Sequence, residues 1–129
     1  MNILIIEDNK DLLELLQGLL TEKGHTVTCK DNYVDALHYI RDEKQARTNL
    51  VLMDFILKGA SSEPLVDVIR EKAPGAHVVV MSAGIAEKED ILGALYQQKK
   101  IDAVLEKPFE FKSLLALIGR HDTPPSLTG

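Results

Sequence analysis

Tryptophan is missing from the 129-residue chain and cysteine occurs once, at Cys29, so no intrachain disulfide can brace the fold. Cys29 sits in a short alternating run and reads as a small buried side chain, with no neighbouring cation arranged to activate it. No apolar run approaches the ~18 residues that a membrane span requires. The N-terminal run Ile3-Leu4-Ile5-Ile6 stops at Glu7-Asp8, too soon for a signal sequence. Positive charge is in deficit, with 15 Lys and Arg against 20 Asp and Glu, a net charge of -5. That balance disfavours nonspecific nucleic-acid binding, because phosphates are repelled. The four histidines, His25, His38, His77 and His121, share no metal-ligand spacing. Glycine-rich phosphate cradles are absent, which leaves nucleotide binding without support.

What the chain does have is a hydrophobic fraction of 45% and a charged fraction of 27%, ordinary for one globular domain. A chain of this size buries roughly two-thirds of its unfolded surface and needs no structural metal. Four short aliphatic runs, Ile3 to Ile6, Leu50 to Met53, Val78 to Met81 and Ala103 to Leu105, suit strands covered on both faces of a parallel sheet. Thr26-Val27-Thr28-Cys29 alternates and suits a strand nearer an edge. Between the strands lie helical stripes: Leu12, Leu13, Leu16, Leu19 and Leu20; Val34, Leu37 and Ile40; Leu65, Val68 and Ile69; Ile91, Leu92 and Leu95; Phe111, Leu114, Leu115 and Ile118. Gly24 and Ala73-Pro74-Gly75 supply helix stops. Regular βα alternation predicts right-handed crossovers and an α/β sandwich with a doubly wound parallel sheet.

Sheets of this kind carry their ligands outside the carboxyl ends of the strands. Glu7 and Asp8 follow the first strand, Asp54 ends the third, Ser82 the fourth, and Lys107 follows the fifth just before Pro108. All five are expected at one rim. Alone, Glu7-Asp8 reads as a solvated strand end or a helix cap, Ser82 as a loop hydroxyl and Lys107 as a surface charge. Together, three carboxylates repel unless a cation joins them, and oxygen ligands suit Mg²⁺. An ionised Asp54 is then placed to accept a phosphoryl group, with Lys107 as a point charge and Ser82 as a hydrogen-bond donor.

The segments Leu4-Ile5-Ile6-Glu7-Asp8-Asn9, Leu50-Val51-Leu52-Met53-Asp54, Met81-Ser82-Ala83 and Glu106-Lys107-Pro108-Phe109 resemble, in order, the signature segments of response regulator receiver domains. The resemblance spans Asn2 to about Arg120 and implies a flavodoxin-like (βα)5 fold with strand order 2-1-3-4-5. It implies Asp54 as phosphoacceptor, with Lys107 and Ser82 as its partners in the chemistry. It implies a Mg²⁺ (or Mn²⁺) site made by Asp8, Asp54, the backbone carbonyl of Ile56, and Glu7 through water. Pro108 matches a proline usually preceded by a cis peptide. Ile56 and Gly84 match positions that tune loss of the phosphoryl group, and the apolar Ile56 implies slow self-dephosphorylation.

The pattern is broken in three places. Val104 stands where the family often has an aromatic residue that rotates on activation, so the signal is expected to travel through Ser82 and the loop after it. The segment Phe55-Ile56-Leu57-Lys58-Gly59-Ala60-Ser61-Ser62 lacks the usual proline and Asp-Gly pair. Lys99-Lys100-Ile101 replaces a usual Gly-Ala, and the two lysines read first as complements to a helix C-terminus. The expected function is a cytoplasmic phosphorylation switch in two-component signalling, catalysing only its own phosphorylation and dephosphorylation. A histidine kinase or phosphotransfer protein donates the group, and the face of the fourth helix, fifth strand and fifth helix responds. That face serves a downstream protein, an effector domain in a longer chain, or a phosphorylation-dependent homodimer, with no membrane contact. The alternative is a receiver-like binding scaffold that works without phosphorylation; a flavin protein or a general phosphatase is a weaker rival. Residues 1–121 are read as the domain and 122–129, with Pro124-Pro125, as a flexible tail or linker stub.

Overall fold

A computed structural model describes residues 1–42 and 47–122. Five strands form one parallel sheet: β1 (Asn2–Ile6), β2 (Thr26–Lys30), β3 (Leu50–Asp54), β6 (His77–Ser82) and β7 (Ala103–Glu106). Their spatial order is β2-β1-β3-β6-β7, which becomes 2-1-3-4-5 when only the sheet strands are counted. Two further two-residue strands, β4 (Ile56–Leu57) and β5 (Ala60–Ser61), make a small antiparallel hairpin after β3. The helices are α1 (Lys10–Glu22), α2 (Tyr33–Arg41), α3 (Glu63–Lys72), α4 (Glu89–Gln97) and α5 (Phe111–Asp122), with a short 3-10 turn at Ile85–Lys88 before α4. The tail at 123–129, including Pro124-Pro125, lies outside the described residues.

Alternation along each central strand builds two cores. Leu4, Ile6, Val51, Met53, Val78 and Val80 face α2, α3 and α4, where they meet Ala36, Ile40, Leu65, Val66, Ile69, Leu92 and Leu95. Ile3, Ile5, Leu50, Leu52, Val79 and Met81 face α1 and α5, against Leu16, Leu20, Leu114 and Ile118. Each face removes a continuous aliphatic layer from water, the dominant stabilising term for such a sheet.

Local signals explain where elements begin and end. Asn9 caps α1 by accepting the Leu12 N–H at 3.2 Å, and Asn32 caps α2 by accepting the Asp35 N–H at 2.8 Å. Gly24 after α1 has φ 95°, a left-handed conformation that glycine adopts at little cost. Three residues of the helical stripes depart from expectation: Val34, Ile91 and Phe111 lie in the first turns of α2, α4 and α5 and are exposed. Val68 packs half-buried against the core, with Val66 fully buried beside it. The 3.6-residue period fixes an apolar stripe but not its angular centre, so neighbouring positions can exchange roles. At the end of α4, Lys99 itself adopts φ 60°, and Lys100 pairs with Asp67 of α3 at 3.0 Å. The two lysines therefore close the helix and tie it to its neighbour. Cys29 on β2 is half-buried, and burial raises its thiol above the ordinary value.

Candidate functional site

The carboxyl ends of β1, β3, β6 and β7 converge on one rim, and each delivers a polar residue to it. β1 runs into Glu7 and Asp8, and β3 ends at Asp54. One carboxylate oxygen from each of Glu7, Asp8 and Asp54 lies within 4.8 Å of the others. Glu7 is fully buried, Asp54 is 8% exposed, and Asp8 is half-buried at the mouth. Lys107, after β7, reaches back to the same place. Its Nζ donates to Asp54 Oδ2 at 3.1 Å and to Glu7 Oε1 in a closer contact. The backbone holds Lys107 there through its N–H, which donates to the Ser82 carbonyl at 2.8 Å. The Lys107–Pro108 peptide is cis.

Backbone donors orient the carboxylates. The Asn9 N–H donates to Glu7 Oε2 at 3.1 Å, the Ile56 N–H to Asp54 Oδ1 at 3.2 Å, and the Lys58 N–H to Asp8 Oδ2 at 2.8 Å. Lys58 can do so because it lies at the hairpin tip with φ 49°, followed by Gly59 at φ 81°. These paired left-handed residues form the kind of two-residue turn that joins short antiparallel strands.

The electrostatics follow from burial and charge. Burial pushes Glu7 up to about 7, against the pull of Lys107 and the Asn9 N–H, and Asp54 adds to the rise. Asp8 is held below the ordinary aspartate value, chiefly by the Lys58 N–H. Burial pulls Lys107 down, but its bonds to Glu7 and Asp54 outweigh this and leave it raised. One ammonium thus faces a buried carboxylate pair with a third carboxylate beside it. A hard-oxygen donor set this dense, with a single cation to balance it, fits a divalent ion such as Mg²⁺.

Ser82 is buried at the end of β6, and its Oγ donates to the Ala83 carbonyl at 2.9 Å. The same carbonyl accepts Lys88 Nζ at 2.7 Å. Gly84 follows with φ 62°, in a left-handed conformation, at the start of the 3-10 turn. Val104 pairs with Val80 in the sheet and packs half-buried against the core beneath α4. Ile56 lies in the hairpin, its N–H on Asp54. The rim therefore gathers Glu7, Asp8, Asp54, Ile56 and Lys107, while the Ser82 hydroxyl is engaged with its own loop. Two contributors were not legible beforehand: the Lys58 N–H, which depends on a backbone turn, and Ser62, whose buried hydroxyl bonds the carbonyls of Asp54 and Phe55.

The family model of the response regulator receiver domain matches residues 3–119 of this chain. The chain belongs to the response regulator receiver family. It is 30% identical over 127 residues to the transcriptional regulatory protein DltR of Streptococcus agalactiae, covering 98% of this chain and 54% of that protein. It is 31% identical over 119 residues to the response regulator protein FleR of Pseudomonas aeruginosa, covering 92% of this chain and 24% of that one. The chain thus spans about half the length of the first relative and a quarter of the second. In three dimensions it resembles the response regulator TrrA of Thermotoga maritima in complex with Mg²⁺ and BeF. The TM-score is 0.74 at 22% identity, covering 93% of this chain and 97% of that one. Receiver domains are signalling modules of two-component systems that bind Mg²⁺ at an acidic cluster and engage histidine kinases or phosphotransfer proteins. Among the described residues of this receiver domain, no helix is long and apolar enough to cross a membrane.

Proposed function

We propose that this receiver domain is a cytoplasmic phosphorylation switch that accepts a phosphoryl group on Asp54. The observation that carries this reading is the Asp54 carboxylate itself: nearly buried, bonded to Lys107 on one oxygen and to the Ile56 N–H on the other, with Glu7 and Asp8 alongside. Asp8, Asp54, the Ile56 carbonyl and, through water, Glu7 would hold Mg²⁺ or Mn²⁺. When bound, the ion supplies positive charge that offsets the carboxylates and the incoming phosphoryl oxygens.

The chain's own groups do the rest. Asp54, with one carboxylate oxygen on Lys107, attacks phosphorus with a carboxylate oxygen. The P–N bond of a donor phosphohistidine breaks, and the imidazole nitrogen leaves with the electron pair and takes a proton. Lys107 follows the charge from the carboxylate to the phosphoryl oxygens. Ser82 gives up the Ala83 carbonyl and donates to the phosphoryl group, moving the loop that carries Gly84 and the 3-10 turn. That motion passes to α4, β7 and α5, where Ile91, Tyr96 and Phe111 already stand in solvent. A downstream protein, an effector domain in a longer chain or a second phosphorylated copy reads the altered face. Pro108 fixes the course of the chain after Lys107, and the smaller Val104 leaves transmission to the Ser82 loop. Residues 1–121 serve as the switch unit.

Intact mass after incubation with acetyl phosphate tests this. A gain of one phosphoryl group that requires Mg²⁺ and disappears in Asp54→Asn is expected. Normal partner binding by Asp54→Ala, with no mass gain in the wild type, would instead establish a scaffold that works without phosphorylation.

A further inference from the structure

Ser62 occupies the N-cap position of α3 yet makes no side-chain cap bond there. An N-cap serine ordinarily accepts an N–H of the first helical turn. Here that task falls to its exposed neighbour: Ser61 Oγ accepts the Glu63 N–H at 3.1 Å. The Ser62 side chain turns the other way, into the protein, where the residue is fully buried. Its Oγ donates toward the Asp54 carbonyl at 2.7 Å and the Phe55 carbonyl at 3.0 Å, and its N–H donates to the same Phe55 carbonyl at 2.7 Å. The hydroxyl therefore spans the two carbonyls that follow the Asp54 side chain, closing the segment that leaves β3, forms the hairpin and enters α3.

Three functional atoms sit on that short segment: the Asp54 carboxylate, the Ile56 N–H that orients it, and the Ile56 carbonyl expected at the ion. We infer that Ser62 is a positioning residue, a buried clamp whose hydroxyl fixes the Asp54-Phe55-Ile56 backbone so that the carboxylate and the Ile56 carbonyl present one preformed face to the divalent ion. This rests on the proposed role of Asp54. Two peptide planes are held from below by one side chain, so rotation of either one is coupled to loss of a buried hydrogen bond. Groups that orient ligands from behind are commonly worth tenfold or more in metal affinity. Misplacement of a nucleophile by a fraction of an ångström carries a comparable penalty in rate. Lys58 and Gly59, at the hairpin tip, position Asp8 from the other side of the same segment.

The experiment compares wild type, Ser62→Ala, Ser62→Thr and Ser62→Cys, with Ser61→Ala as the control for the adjacent cap. Mg²⁺ affinity is read by calorimetry without any phosphodonor, acetyl-phosphate labelling by intact mass at saturating Mg²⁺, and Tm in chelator. Ser62→Ala should weaken Mg²⁺ binding about tenfold and slow labelling about tenfold. Ser62→Thr, which keeps the hydroxyl, should return both to within about threefold, and Ser61→Ala should leave both unchanged. Ser62→Cys fills the space with a weak donor and should behave as the alanine variant, which keeps the test decisive where Ala unfolds. Mg²⁺ affinity and labelling within twofold of wild type in Ala or Cys, whatever the Tm, would overturn the clamp and leave Ser62 a packing residue. Failure of the wild type to label would sink the Asp54 reading, while the Mg²⁺ titrations would still decide the clamp.

Discussion

Lys107 Nζ bonds both Asp54 Oδ2, at 3.1 Å, and Glu7 Oε1, so one ammonium is shared by two carboxylates from different strands. Removing it leaves Glu7 and Asp54 buried without their shared hydrogen-bond donor and counter-charge. Lys107→Ala should lower stability by about 2–3 kcal/mol in chelator, somewhat below the figure for a fully enclosed pair because the lysine side chain is 22% exposed. Mg²⁺ should recover more stability in the variant than in wild type, since the ion then meets an unpaired cluster. Urea unfolding with and without Mg²⁺ checks this; an equal Mg²⁺ effect in both proteins would count against a shared electrostatic cluster.

Glu7 gives the metal-free protein a distinctive pH dependence. Its folded-state value is raised from 4.5 to about 7 by burial, so the folded protein holds a proton that the unfolded chain has already released. Stability is therefore lost as pH rises from 4.5 toward 7, by about 3 kcal/mol, with little further loss above. Asp8 is lowered, so its contribution is lost only as pH falls through its folded value, below 3.8. Lys107 is raised, so its contribution is lost only above 10.5. Between pH 5 and 7.5 neither Asp8 nor Lys107 changes charge, and the Glu7→Gln variant separates the Glu7 contribution from that of the histidines. Melting in chelator across that window should show a falling Tm that Glu7→Gln flattens; a flat wild-type profile would contradict the assignment.

Much of this site was legible from residue type and place alone. Each chemical residue follows a buried aliphatic run, and a parallel sheet sends the ends of its strands to one rim whatever the helices do. That is why the sequence alone gathers Glu7, Asp8, Asp54 and Lys107 at one rim. It does not gather Ser62 or the Lys58 N–H. The first is one of two adjacent serines before a helix, and only burial shows which one caps and which turns inward. The second is a backbone donor, whose direction depends on a left-handed φ at a lysine, a conformation that side-chain chemistry does not announce. In the helices, Val34, Ile91 and Phe111 lie in solvent for a related reason: periodicity orders a face but leaves its centre free.

The Ala83 carbonyl accepts both Ser82 Oγ, at 2.9 Å, and Lys88 Nζ, at 2.7 Å. When Ser82 turns toward a phosphoryl oxygen, Lys88 keeps that carbonyl bonded. In Lys88→Met the carbonyl has only Ser82 to hold it, and the rest state gains about 1 kcal/mol over the switched one. The loop amides of Gly84 and Ile85 should then shift less on phosphorylation, by roughly fivefold in the population ratio. Amide spectra of the phosphorylated wild type and variant provide the comparison, and identical shifts would remove Lys88 from the switch.

Cys29 should be a slow thiol. Burial raises it, and the adjacent Lys30 offsets only part of that rise, so less thiolate is present at pH 8 than for a free cysteine. Lys30 also lies over the Tyr39 ring, 5.3 Å from its centroid. Iodoacetamide should label the folded protein several-fold more slowly than the urea-unfolded chain, and the rate should still be climbing at pH 9. Equal rates in the two states would mean that β2 opens freely at this edge of the sheet.

The lifetime of the phosphorylated form depends on what can orient water against the phosphoryl group. Ile56 contributes its N–H to Asp54, but its side chain is aliphatic and offers no hydrogen-bonding atom to a water. Gly84 likewise has no side chain to reach inward; a Cβ there would meet Lys88 Nζ at 3.4 Å and Glu87 Oε2 at 3.6 Å. Hydrolysis therefore lacks an orienting group at both positions, and the acyl phosphate should persist for minutes or longer. Ile56→Asn places a carbonyl and an amide at the mouth without changing Asp54, Lys107 or Ser82, and should shorten the lifetime about tenfold. Loss of the phosphoryl mass is followed after removal of acetyl phosphate. A wild-type lifetime of seconds would mean that a group outside Ile56 and Gly84 already directs the water.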